Sequence, residues 1–124
     1  MEFYAPWCGH CQHLAPDWNE LGAEVEGADV KIAAIDCTDE ESGNNRLCTD
    51  LGIEGFPTLK LVDATARKII DYSGERSVRE MKVFASGAYA SADGIQFRED
   101  QTFVTRAMGF LGSINTAVVG PIME

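Results

Sequence analysis

Basic residues are scarce in this chain of 124 residues: 10 Lys and Arg stand against 20 Asp and Glu, a formal charge of −10. Without a positive footprint, nucleic acid and anionic membrane surfaces are poor partners. No run of about 18 or more apolar residues is present, so no membrane-spanning helix is predicted. Met1 is followed at once by "EFYA", which has neither the basic start nor the apolar run of a leader peptide. The last residues, "PIME", carry no retention tetrapeptide. Internal repeats are absent. Cysteines number only four, Cys8, Cys11, Cys37 and Cys48, too few for a disulfide scaffold that lacks a core.

What the chain does have is a 45% hydrophobic and 24% charged composition, that of one globular domain able to bury a core. Residues 2–5, "EFYA", are aromatic-rich and stop at Pro6, which suits the end of a strand. From Cys8 to about Gly27 the pattern is helical, with Leu14, Trp18, Leu21 and Val25 on one face. Pro16 lies inside that run and is expected to kink it, since it brings no amide and crowds the preceding turn. "VKIAAID", residues 30–36, reads as a buried strand. "TDEESGNN" reads as a turn, and residues 46–51 as a short helix closed by Gly52. "PTLKLVD" and "KIIDYS" around "ATAR" read as a hairpin. Ser77 with Glu80 forms a capping-box pattern, opening a helix that ends near Gly87. Trp18 and Phe84 are expected in the core. The predicted order is strand, helix, strand, helix, strand, strand, helix over residues 1–87. Residues 88–124 read as a linker and C-terminal extension, with helical spacing over 101–119.

"APWCGHCQHLAP" carries the chemistry. A helix beginning at Cys8 puts Cys11 over the same face, three residues on. The positive end of that helix favours a thiolate at Cys8. A thiolate with a second thiol in reach is what thiol–disulfide exchange requires. A zinc site needs two more convergent ligands; Cys37 and Cys48 do not form a second C-x-x-C, and His10 is badly placed to join.

A lone C-x-x-C says little. "WCGHC" between "EFYAP" and "LAP", with "GFPT" at residues 55–58, resembles the catalytic domain of the protein disulfide isomerase family, over residues 2–85. The resemblance implies an α/β thioredoxin fold in its minimal core, β-α-β-α-β-β-α, lacking the family's first strand and helix. It implies an enzyme, a thiol–disulfide oxidoreductase and isomerase, with no metal or organic cofactor. Its substrates would be cysteine-containing unfolded or partly folded polypeptides and thiol redox partners, in the endoplasmic reticulum lumen or secretory pathway. Cys8 matches the family's attacking cysteine and Cys11 its resolving one, with Gly9 and His10 as the variable pair between them. A cationic His10 stabilises the Cys8 thiolate. Pro57 matches a cis-proline facing the active site, with Phe56 offering backbone to an extended substrate and Trp7 shaping its approach. Glu2 matches a buried carboxylate that relays a proton for the resolving cysteine. Arg76 matches an arginine able to swing in and lower that cysteine's pKa. Read without the resemblance, Glu2 is an acid at a chain end, Arg76 a surface charge ahead of a helix, and His13 an exposed helix residue.

Cys37 and Cys48 resemble the added pair of some family members and of the thioredoxin-like domain of quiescin sulfhydryl oxidases. That implies a structural disulfide worth about 2–3 kcal/mol, with a second redox couple as the alternative. Either form belongs to an oxidising compartment. The sequence departs from the family in two ways. A lysine that partners the buried carboxylate is here Ala34, so Glu2 is expected to be harder to charge. The missing first strand and helix make Met1 read as an imposed start, of a truncated chain or of a piece of a longer protein. The competing reading is a truncated, weakly active or inactive domain that binds unfolded chains, as a chaperone-like module, through the apolar surface around Trp7, Phe56 and Pro57.

Overall fold

The structure is a computed structural model that describes residues 1–63, 66–92 and 94–96. Strand β1 (Glu2–Tyr4) stops ahead of Pro6 and turns into helix α1 (Gly9–Glu24). Strand β2 (Ala34–Asp36) and the short helix α2 (Asn44–Asp50) follow, then strands β3 (Thr58–Asp63) and β4 (Lys68–Tyr72) and helix α3 (Val78–Ser86). A 3-10 turn at Ala88–Ser91 leads to β5 (Ile95–Gln96). The sheet order is β2-β1-β3-β4-β5, with β1 and β2 parallel and the remaining pairs antiparallel. The sheet therefore continues past residue 87, through a strand the periodicity did not signal. The helix expected over 101–119 lies outside the described residues. Among the described residues no helix is long and apolar enough to cross a membrane.

The strands alternate cleanly between two cores. On one face Leu14, Trp18 and Leu21 of α1, with Val25 at its C-terminal cap, pack with Ile32, Ala34, Leu59 and Met81. On the other Phe3, Ala33 and Ile35 pack with Leu47 and Cys48 of α2. Burying one such apolar side chain contributes about 1.5–3 kcal/mol, so these four residues alone fix that helix to the sheet. Ser77 caps α3 by accepting the Glu80 amide at 3.3 Å. Phe84 is only half-buried; its ring leans on Tyr72 and Tyr89 at the edge of the core instead of filling it.

Several elements differ in extent from the sequence expectation; α2 runs Asn44–Asp50 where a helix over 46–51 is expected. The strand expected over 30–36 is hydrogen-bonded only at Ala34–Asp36, because parallel pairing reaches just as far as the three residues of β1 opposite it. β3 begins after Pro57, which has no amide to give a ladder. α1 continues through Pro16 as one helix. That ring is exposed, and Pro16 has no amide to donate to the Gln12 carbonyl.

Candidate active site

The β1–α1 turn is drawn tight by its own backbone. The Cys8 amide donates to the Ala5 carbonyl at 3.1 Å, and Gln12 Nε2 donates to the Pro6 carbonyl at 3.0 Å. Cys8 is thereby left as the N-cap of α1, extended at φ −79° and ψ 120°. Its Sγ accepts the Cys11 amide at 3.2 Å, the role a Ser or Asp oxygen usually plays at this position. The first turn carries no acidic residue, so the helix's positive end faces the sulfur alone. Cys8 and Cys11 are both free thiols. Cys11 is wholly buried, and burial, with the hydrogen bond to Cys8, pushes its thiol up to about 12. A backbone hydrogen bond from Ala5 works the other way. Gly9 and His10 lie exposed beside this pair, and so does His13 on the next turn.

Opposite Cys8 stands the α2–β3 connection. The Phe56–Pro57 peptide is cis, and the Cys8 thiol donates to the Phe56 carbonyl at 3.5 Å. Trp7 is 71% exposed and meets the Phe56 ring edge-on at 5.8 Å between centroids. The sulfur thus lies between a backbone carbonyl and an open aromatic surface. Arg76 is exposed on the far side of the same turn, where its Nη2 donates to the Pro57 carbonyl at 3.4 Å.

Among the described residues Glu2 is the one fully buried charged side chain. Strand register places it between Ala34 and Leu59, neither of which has a side-chain donor. Neither carboxylate oxygen has a hydrogen-bond partner. Burial consequently pushes its pKa up to about 7, against the Met1 amino group and the Arg76 guanidinium, which pull it down. It lies within electrostatic reach of Cys11. Arg76 is thus felt at the carboxylate and touches the Pro57 carbonyl.

Cys37 and Cys48 are joined, with Cα atoms 5.8 Å apart. The bond ties the chain just past β2 to the middle of α2. Two site residues went unread in the sequence. Tyr4 is half-buried on the face of Glu2, and burial, then Asp36, Glu2, Asp39 and Cys11, raise its phenol. Two-residue alternation along β1 from Glu2 would have found it. Gln12 locks the Pro6 carbonyl, and nothing in a helical pattern marks that contact. Among the described residues no cluster of three or more His, Cys, Asp or Glu side chains could hold a metal ion.

An unbonded Cys-x-x-Cys at a helix N-terminus, facing a cis-proline turn across a mixed sheet, is the arrangement of thioredoxin domains. The family profile described as Thioredoxin matches residues 1–86, and the chain belongs to that family. It is 45% identical over 86 residues to a thioredoxin domain-containing protein 5 homolog of Drosophila melanogaster, covering 68% of this chain and 20% of that protein. It is 49% identical over 73 residues to sulfhydryl oxidase 1 of Gallus gallus, covering 57% of this chain and 10% of the oxidase. To the protein disulfide-isomerase-like protein EhSep2 of Emiliania huxleyi it is 41% identical over 86 residues, covering 68% of this chain and 37% of that one. The crystal structure of the J-Trx1 fragment of ERdj5 superposes with a TM-score of 0.62 at 33% identity, covering 73% of this chain and 42% of the fragment. The chain thus spans well under half the length of each of these relatives. The fold is that of a thioredoxin domain, α/β, in the order β-α-β-α-β-β-α with β5 added.

Proposed function

We propose that this chain is a thiol–disulfide oxidoreductase and isomerase of the protein disulfide isomerase kind, acting through Cys8 and Cys11 on cysteine-containing, partly folded polypeptides. The observation that supports it is the Cys8 sulfur itself: it caps α1 and sits 3.5 Å from the Phe56 carbonyl, where an extended substrate would lie. The Cys8 thiolate attacks a substrate disulfide; one S–S bond breaks, a mixed disulfide forms, and the released substrate sulfur takes a proton from water. Cys11 holds its proton while buried, so the mixed disulfide persists until a base removes it. Glu2, near neutrality and within electrostatic reach, is that base. The Cys11 thiolate then attacks Cys8, the Cys8–Cys11 bond forms, and the second substrate sulfur leaves. Two electrons have passed to the substrate. The reverse sequence oxidises a dithiol, and attack without the resolving step exchanges one pairing for another. Trp7 and Phe56 supply the apolar surface that receives the substrate, and Arg76 holds the Pro57 carbonyl. The Cys37–Cys48 bond and the relatives named as disulfide isomerases support an oxidising compartment, the endoplasmic reticulum lumen or the secretory pathway.

Insulin reduction with dithiothreitol tests this reading. Turnover should vanish in Cys8→Ser, and Cys11→Ser should accumulate mixed disulfide. Suppression of aggregation that survives Cys8→Ser, with no insulin turnover in the unaltered chain, would favour the chain-binding module instead.

A further inference from the structure

We infer that the Cys37–Cys48 disulfide is a brace that positions the reacting dithiol, holding both the turn that carries Cys8 and the turn that faces it. The inference rests on the reading of Cys8 and Cys11 as the exchanging pair. On one side, the Cys37 amide donates to the Tyr4 carbonyl at 2.9 Å. Tyr4 ends β1, and the next carbonyl, that of Ala5, accepts the Cys8 amide at 3.1 Å. One residue of chain therefore separates the Cys37 contact from the Cys8 contact. On the other side, the Cys48 carbonyl accepts the Ile53 amide at 2.9 Å while Gly52 donates to Thr49 at 3.0 Å. These are the two bonds of a Schellman closure, which Gly52 permits at φ +71°. From Ile53 the chain runs through Glu54 and Gly55 into Phe56, whose carbonyl meets the Cys8 sulfur. One covalent bond thus links the two walls that face each other across Cys8.

The bond is needed there because little else holds α2. The helix has seven residues and buries only Leu47 and Cys48. So short a helix does not hold itself in water, and its position is decided by what ties it to the rest. Cys37 lies just past the end of β2, and its amide makes the last bond of the β1–β2 ladder, so the disulfide ties α2 to a point that the sheet already holds. A staple acting only on the unfolded chain would change how many molecules are folded. A brace also changes the folded molecules: freed of it, the Phe56–Pro57 turn and the Cys8 turn drift relative to each other.

The test compares the chain with Cys37→Ser/Cys48→Ser in three measurements. The first is insulin reduction per folded molecule, and the second the glutathione equilibrium constant of the Cys8–Cys11 couple. The third is amide hydrogen exchange. Without the brace, kcat/KM per folded molecule should fall about tenfold, since misplacement of reacting groups by an ångström costs up to about a hundredfold. The equilibrium constant should shift by about threefold or more, a readout that loss of stability alone does not move. In the unaltered chain the amides of Cys37 and Ile53 should be protected as strongly as those of α1. Unchanged kcat/KM and equilibrium constant beside a lowered urea midpoint would reduce the bond to a staple and overturn the inference. Should the serine variant not fold, Cys37→Ala/Cys48→Val is measured in its place. Rapid exchange at Cys37 and Ile53 overturns the brace even if neither variant folds. A chain that never reduces insulin refutes the functional reading, while the glutathione equilibrium and the exchange rates still decide the brace.

Discussion

Cys8 and Cys11 stand unbonded at one helix end, three residues apart, whereas Cys37 and Cys48 join a strand end to the middle of the next helix across 11 positions. In each pair the first cysteine follows a strand and the second lies in the helix beyond it. What differs is where the helix begins. α1 starts directly after Cys8, so that sulfur becomes the cap and receives an amide. α2 starts seven residues after Cys37, at Asn44, and both sulfurs turn into the apolar cluster of Phe3, Ile35 and Leu47. A sulfur aimed at helix amides is placed for exchange, and one packed among aliphatic groups is placed to stay bonded.

The largest effect that would break this comparison is in alkylation of the reduced protein. Iodoacetamide at mildly acidic pH should label Cys8 at least about a hundredfold faster than Cys11, whose thiol is wholly buried and raised to about 12. Peptide mass spectrometry reads the ratio, and preferential labelling of Cys11 would reverse the assigned roles.

Next in size is the Glu2 contribution. Between pH 4.5 and 7 the folded chain keeps a proton on Glu2 that the unfolded chain has released. The carboxyl's share of stability is therefore full below the lower value and lost as pH rises through the upper one. A shift from 4.5 to about 7 corresponds to roughly 3 kcal/mol. Met1's amino group, lowered to about 5 by burial, titrates in the opposite sense, so the unaltered chain is compared with Glu2→Gln. The variant should gain on it by that amount as pH rises, in urea titrations at pH 4.5 and pH 8. A constant difference would mean that the carboxyl is solvated.

Removing the second pair should cost somewhat less. Cys37→Ser/Cys48→Ser is expected to lose about 2–3 kcal/mol, the loop-closure value for so short a ring. Its urea midpoint measures the loss. A midpoint unchanged from the disulfide-bonded chain would show that packing of Leu47 and Cys48 holds α2 without the bond.

The smallest effect probes the non-covalent counterpart at the first pair. Gln12→Ala deletes the exposed bond to the Pro6 carbonyl and should cost about 0.5–1.5 kcal/mol. Loss of that size in thermal unfolding, with little change in Cys8 labelling, would show that the turn is set by backbone bonds. A large labelling change would show that Gln12 positions Cys8.

Much of this was legible in the residues themselves. The four-three-four spacing from Leu14 to Val25 gave α1, since a helix repeats its buried face every 3.6 residues. Ser77 with Glu80 gave the start of α3, whereas β3 begins one residue later than expected, after Pro57, which has no amide to give. The short partner β1 trimmed β2, and β5 escaped notice because two residues carry no period. The family resemblance made Glu2 a candidate, and Ala34 in place of the family's lysine implied that it lacks a cation. Its isolation needed the register that sets Ala34 on one side and Leu59 on the other.

By itself the sequence determined which groups stand where along the chain: two cysteines at a helix start, a second pair 11 residues apart, and a carboxyl ahead of them. Local spacing and capping decide such things, because they depend on neighbours a few residues away. Only the tertiary structure decided the rest. Cys37 and Cys48 reach Tyr4 and Ile53, Phe56 crosses to Cys8 from 48 residues on, and Glu2 is sealed without a partner. Desolvation sums over every segment packed around a group, and no stretch of chain read alone contains that sum.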